Sequence, residues 1–187
     1  YNRDSSEFVG FQNYQAVFSE RIMIEAFRNN LLWLVIGTGL TVSLGLLIAI
    51  LADRSRFENV AKSMIFLPMA ISMVGAGIIW KFVFAPDAKI GLLNAAVTGA
   101  GGEAQAWLTL VQPWNNLFLI LVMVWLQTGY AMVLISAAIK SISDELLEAA
   151  RVDGANEFTI FFQIIIPNIA GTLLTVTTTV VIFTLKI

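Results

Sequence analysis

Four apolar runs, residues 31–51, 63–84, 116–139 and 160–187, constrain this chain more than any other feature. Lipid offers no partner for backbone N–H and C=O groups, so a crossing segment must satisfy them within a helix, which takes about 20 mostly apolar residues. The first run carries no charge and is stopped by Ala52-Asp53-Arg54. The second is interrupted only by Lys81 near its end, where the amine can reach the interface. The third is uncharged, and Lys186 is the sole charge of the fourth. Core helices of a soluble protein are the alternative, but four such runs in 187 residues leave too little polar sequence to wrap them. The expectation is an all-α, polytopic helical membrane protein with one membrane domain.

Composition removes most chemistry. Hydrophobic residues make up 58% and charged residues 13% of the chain, with no Cys and no His. Disulfides, zinc or haem sites, thiol nucleophiles and histidine relays are thereby excluded, and no metal, cofactor or catalytic residue is expected. A net charge of −2 offers no basic face for a phosphate backbone, so nucleic acid is not expected as a partner. Gly99-Ala100-Gly101-Gly102 is followed by Glu103-Ala104 rather than Gly-Lys-Ser/Thr, so the chain holds no nucleotide-binding loop of that type and is not itself an ATPase. An intramembrane hydrolase would need a serine beside a base, and Ser43, Ser72 and Ser136 have no acid or central lysine next to them in sequence. The chain is expected not to be an enzyme. A membrane scaffold without substrate is the remaining alternative to transport.

Residues 1–30 are richer in charge and lack the pattern of a signal peptide. Gly10-Phe11-Gln12-Asn13-Tyr14 reads as a turn, and Ala16, Val17, Ile22, Ile24, Ala26 and Phe27 after it fit short helices at the membrane surface. The loop 52–62 carries Arg54, Arg56 and Lys62, and the segment 140–159 carries Lys140 and Arg151, whereas 85–115 has only Lys89. The positive-inside rule places the first two in the cytoplasm. The turn-rich middle loop, with Pro86, Gly91, Gly99 to Gly102 and Pro113, then lies outside. Arg3, Arg21 and Arg28 place the opening arm against the rule, as a preceding helix would allow. The chain closes inside an apolar run, and membrane sequence is expected beyond one or both ends.

The most patterned polar stretch runs from Ser141 to Gly154. Ser143 is a good N-cap, Asp144 and Glu145 suit the first turn of a helix, and Gly154 is a good C-terminal stop. The result is a surface helix of about ten residues with Leu146, Ala149, Ala150 and Asp153 on one face and Glu148 at its border. Small residues there let another protein approach the backbone closely. On composition alone, a solvated connector fits as well.

Spacing adds more. Glu148-Ala149-Ala150, three residues, Gly154, nine residues, then Ile164-x-Ile166-Pro167 resembles the signature loop of integral membrane permeases of ABC importers, with Ile166 in place of Leu. The resemblance covers nearly the whole chain and is nearest to carbohydrate-importing permeases of the maltose type, including the alpha-glucoside branch. Gly10-Phe11-x-Asn13-Tyr14, Asn29-Asn30, Phe66-Leu67-Pro68, Gly91-Leu92-x-Asn94 and Val124-Trp125 with Gly129 are further family-like marks. Such permeases have a core of six helices, so the resemblance implies a type I importer core of which this chain holds four.

What the resemblance implies for function is specific. The loop would be a coupling helix that docks on a cytoplasmic ATPase, with Glu148, Ala149, Ala150, Asp153 and Gly154 at the contact. Pro167 would permit a kink in the next span, or would simply be a first-turn proline. Leu126, Gln127 and Tyr130 fall at sugar-contacting positions, and Met69, Met73, Val180 and Thr184 on the translocation path. Taken alone, Met69, Met73 and Val180 read as packing, and Trp125 and Tyr130 also suit an interfacial aromatic belt. The implied partners are an ATP-binding subunit dimer, a second permease, an extracytoplasmic solute-binding protein, a carbohydrate and the lipid of a bacterial or archaeal inner membrane.

Overall fold

The computed structural model describes residues 10–186, and the expectations for Arg3 and for the rest of 1–9 lie outside the described residues. Eleven α-helices, four short π-helical or 3-10 turns and no strand occur among those residues. They are α1 (Gln12–Ser19), α2 (Arg21–Leu32), α3 (Thr38–Asp53), α4 (Glu58–Phe66), α5 (Met73–Val83) and α6 (Leu92–Gly99). After these come α7 (Trp114–Lys140), α8 (Asp144–Val152), α9 (Glu157–Ile160), α10 (Ile166–Asn168) and α11 (Ala170–Thr184).

The first span begins earlier than its apolar run. A π-helical turn, Trp33–Gly37, joins α2 to α3 without a break, so Arg21–Asp53 is one helix of 33 residues. Of the two helices in this arm α1 is short and separate, whereas α2 continues into α3. Phe18 and Phe27 stack across the α1–α2 corner, with ring centroids 6.1 Å apart. The third span, α7, has 27 residues, which at about 1.5 Å rise each exceeds the roughly 30 Å apolar thickness of a bilayer.

The other two spans are bent. Glu58–Ala70 and Met73–Val83 meet at 102°, and Glu157–Asn168 and Ala170–Thr184 at 67°. In the second span Leu67–Ala70 tightens into a 3-10 turn around Pro68. Ile71 and Ser72 then take extended backbone, and the Ser72 hydroxyl accepts from the Gly75 N–H to start α5. In the fourth span a π-helical turn, Phe161–Ile165, precedes Pro167, and the chain turns at Ile169. The kink anticipated from Pro167 is present, two residues further along.

Small residues let the spans approach. A Cβ on Gly45 would lie 2.6 Å from the Ala131 Cβ, so α3 and α7 pack nearly backbone to backbone. A Cβ on Gly129 would lie 2.6 Å from the Ile65 carbonyl oxygen, which sets α4 equally close to α7. Ala49, Ala131, Met132, Ile135, Val176 and Val180 form the buried core between α3, α7 and α11. Leu40, Leu44, Leu47, Leu174 and Ile182 stay exposed on outer faces, as contact with lipid or further helices requires.

The middle loop is ordered by one side chain. Buried Asn94 donates to the carbonyls of Ala85, Pro86 and Gln105 and accepts from the Gln105 N–H. From that loop a chain of aromatic contacts runs inward through Trp107, Phe118, Phe84, Trp80 and Trp125.

Candidate functional site

The break in the second span opens a cavity of about 150 Å³ at its corner. Met69 and Met73 flank the break, and Leu126 and Gln127 of α7 face it, so four of the predicted path residues share one wall. Ile71 and Phe183 complete the lining. Polar groups inside lipid face internal cavities, and the Gln127 amide, able to donate and accept, is the one polar side chain here. A second, apolar pocket of about 310 Å³ adjoins it through Met73, Leu126 and Phe183 and extends past Trp33, Trp80 and Phe84.

The remaining path residues sit elsewhere. Val180 is fully buried in the helix core, and Thr184 is buried behind it, donating to the Val180 carbonyl at 2.8 Å. The residue of α11 that reaches the cavity is Phe183, which sequence reasoning missed because an apolar side chain on an apolar helix carries no signal. Tyr130 is half-buried and lines neither cavity. Trp125 turns away from Gln127 and packs edge-on to Trp80, 5.6 Å between centroids.

The helix α8 matches its expected limits. Asp144 and Glu145 occupy the first turn, Arg151 the last, and Gly154 has φ +87°, a left-handed conformation that glycine adopts cheaply. The Ala155 N–H donates to Ala150 O at 2.9 Å and the Gly154 N–H to Arg151 O at 3.1 Å, which closes the helix as a Schellman turn. Ser143 is extended as a cap residue should be, but its hydroxyl makes no capping bond; that expectation is corrected. Glu148, Ala149 and Asp153 are exposed and Ala150 is half-buried, so the predicted contact face is open. Pro167, exposed, follows α9 in the chain and lies in α10, apart in sequence from this face.

Two charge networks fasten the elements around α8. Lys62 lies 2.5 Å from Asp53 and 2.6 Å from Glu58, and the Ser136 hydroxyl donates to Asp53 at 2.7 Å. Lys140 also binds Glu58. Lys140 and Lys62 both donate to the Glu58 carboxylate. Ser136 thus has both a lysine and an acid beside it, which the sequence did not reveal. Ser136, Lys62 and Asp53 tie α7, α4 and α3 together. In the second network Glu157 binds Arg151 at 3.1 Å and Arg54 at 2.9 Å.

Residues 41–186 match the model of the binding-protein-dependent transport system inner membrane component family. The chain is 54% identical to the osmoprotective compounds uptake permease protein of Synechocystis over 98% of its length and 67% of that protein. It is 47% identical to the alpha-glucoside transport system permease protein of Rhizobium meliloti over 100% of its length and 56% of that protein. The chain therefore spans between about half and two thirds of these relatives. The fold matches the crystal structure of a bacterial ABC transporter involved in the import of the acidic polysaccharide alginate, with a TM-score of 0.81 at 22% identity, over 94% of this chain and 62% of that one. With its all-helical, bent-span architecture and its signature loop in place, the chain belongs to the family of binding-protein-dependent transport system inner membrane components.

Proposed function

We propose that this chain is part of a permease subunit of an ATP-driven carbohydrate importer in a bacterial or archaeal inner membrane. One observation carries the reading: a single bent span joins the exposed helix α8 to the cavity wall. It leaves α8 through the Gly154 turn, bends at Ile169 and places Phe183 against Met73, Leu126 and Gln127. Movement of α8 by a cytoplasmic ATPase dimer then reaches the cavity through a rigid element, the physical requirement for alternating access. Glu148, Ala149, Ala150, Asp153 and Gly154 serve the ATPase contact, and Leu126, Gln127, Met69 and Met73 the solute path. Val180 and Thr184 back the cavity helix, and Tyr130 meets the solute only when the path is open. A second permease and a solute-binding protein complete the assembly; the family's description as binding-protein-dependent supports the latter.

The alpha-glucoside relative supports a glucoside as solute. The osmoprotectant-uptake relative favours a second reading, a small compatible solute carried by the same route. The test is uptake by the complete transporter in liposomes with its binding protein, offering radiolabelled maltose, sucrose and glycerol glucosides. ATP-dependent accumulation of a glucoside that falls at least about ten-fold in Gln127→Leu supports the reading, on the scale of one lost buried polar contact. Accumulation that is unaffected by that change contradicts the assigned path.

A further inference from the structure

The helix α8 is held by very little. None of its residues is buried, and a cleft of about 520 Å³ separates it from the ends of the spans, with Leu147 and Arg151 on one wall and Ile50 and Ile139 on another. Among the described residues, the one side-chain hydrogen bond or ion pair from α8 to another element is Arg151 Nε to Glu157 Oε1 at 3.1 Å. The other oxygen of Glu157 accepts from Arg54 Nη2 at 2.9 Å, across 103 residues of sequence. Arg54 follows Asp53, which is tied to Lys62 and Ser136.

We propose that Glu157 is a positioning residue that clips the coupling helix, through Arg151, to the end of the first span, through Arg54. The inference rests on the reading of α8 as the ATPase contact. Without the clip, force on α8 would pass only along the chain, to α7 through 141–143 and to α9 through 153–156; with it, α3 and, through Asp53 and Lys62, α4 receive the same displacement. Exposed ion pairs add little stability, and all three side chains are at least half exposed. Their effect is therefore orientation: a helix without a packed face takes whichever position its charged tether selects. The carboxylate is suited to this because its two oxygens engage two different arginines.

The test is a double-mutant cycle in the complete transporter in liposomes, reading radiolabelled maltose and sucrose carried per ATP hydrolysed. Glu157→Gln and Arg54→Gln should each lower that ratio about five-fold, within the range known for coupling residues, while the ATPase subunits stay bound. The double variant should lose no more than either single one, and Arg54→Lys should retain most of the ratio. An unchanged ratio, or losses that multiply in the double variant, overturns the clip. Glu148→Lys separates this from the reading beneath it: if that change leaves ATPase binding intact, the α8 assignment fails and the clip with it.

Discussion

Gly129 of α7 lies directly beneath the Ile65 carbonyl of α4, so close that a Cβ there would stand 2.6 Å from that oxygen and 2.8 Å from the Phe66 Cα. The neighbour is backbone, which cannot swing aside. Gly129→Val should therefore force α4 from α7 and cost about 1–3 kcal/mol, as overpacking does. Gly39, which has nothing within 4 Å, is the control, and Gly39→Ala should be silent. Thermal unfolding of the purified complex in detergent reads both: a lower midpoint for Gly129→Val alone is expected, and equal midpoints would contradict the close approach.

Gly154 tests the coupling turn differently. Its surroundings are open, so the cost of Gly154→Ala is conformational, about 1–2 kcal/mol for a left-handed residue with a Cβ. Gly154→Asn should be milder, since asparagine tolerates this region. Co-purification of the ATPase subunit should fall in the order Gly, Asn, Ala; equal recovery would show that the turn does not shape the contact.

Asn94 should govern the middle loop. Asn94→Ala leaves the carbonyls of Ala85, Pro86 and Gln105 without their donor, at about 1–3 kcal/mol for buried groups left unpaired. Asn94→Asp loses the same donor. Both should speed protease cleavage within residues 85–113 at least several-fold, read by mass spectrometry of the fragments; cleavage at the parent rate would remove Asn94 from that role.

Lys62 bridges two acids, Asp53 at the end of α3 and Glu58 at the start of α4. Lys62→Met should destabilise the bundle by ~2 kcal/mol, since breaking a partly buried pair strands Asp53, while Glu58 keeps Lys140. Adding Asp53→Asn should restore part of the loss, because one stranded charge is then gone. A double variant less stable than Lys62→Met would argue against the pairing.

Long apolar runs made the four long helical segments legible, two of them continuous and two bent, and polar Gln127 inside one of them stood out for the same reason. The breaks were harder to read. Pro68 and Pro167 mark them, but the turns fall at Ile71-Ser72 and Ile169, where extended or irregular backbone rather than any residue type makes the corner. The helix at 144–152 and its glycine stop followed from local rules of capping and spacing. Ser136 and Glu157 did not, because their partners are brought in by tertiary packing from distant sequence. Val180 and Thr184 share α11 with Phe183, and only the rotation of that helix decides which one meets the cavity.

The central claim is that α8 drives the cavity through the bent last span. Its most direct measurement is ATP hydrolysis and solute uptake in the same liposomes, for the parent transporter and for Glu148→Lys combined with Gly154→Pro. The account predicts that the variant assembles its two permeases yet loses at least about ten-fold in ATP-driven uptake, the scale of a catalytic constellation misplaced by a remote change. Uptake equal to the parent's would contradict it.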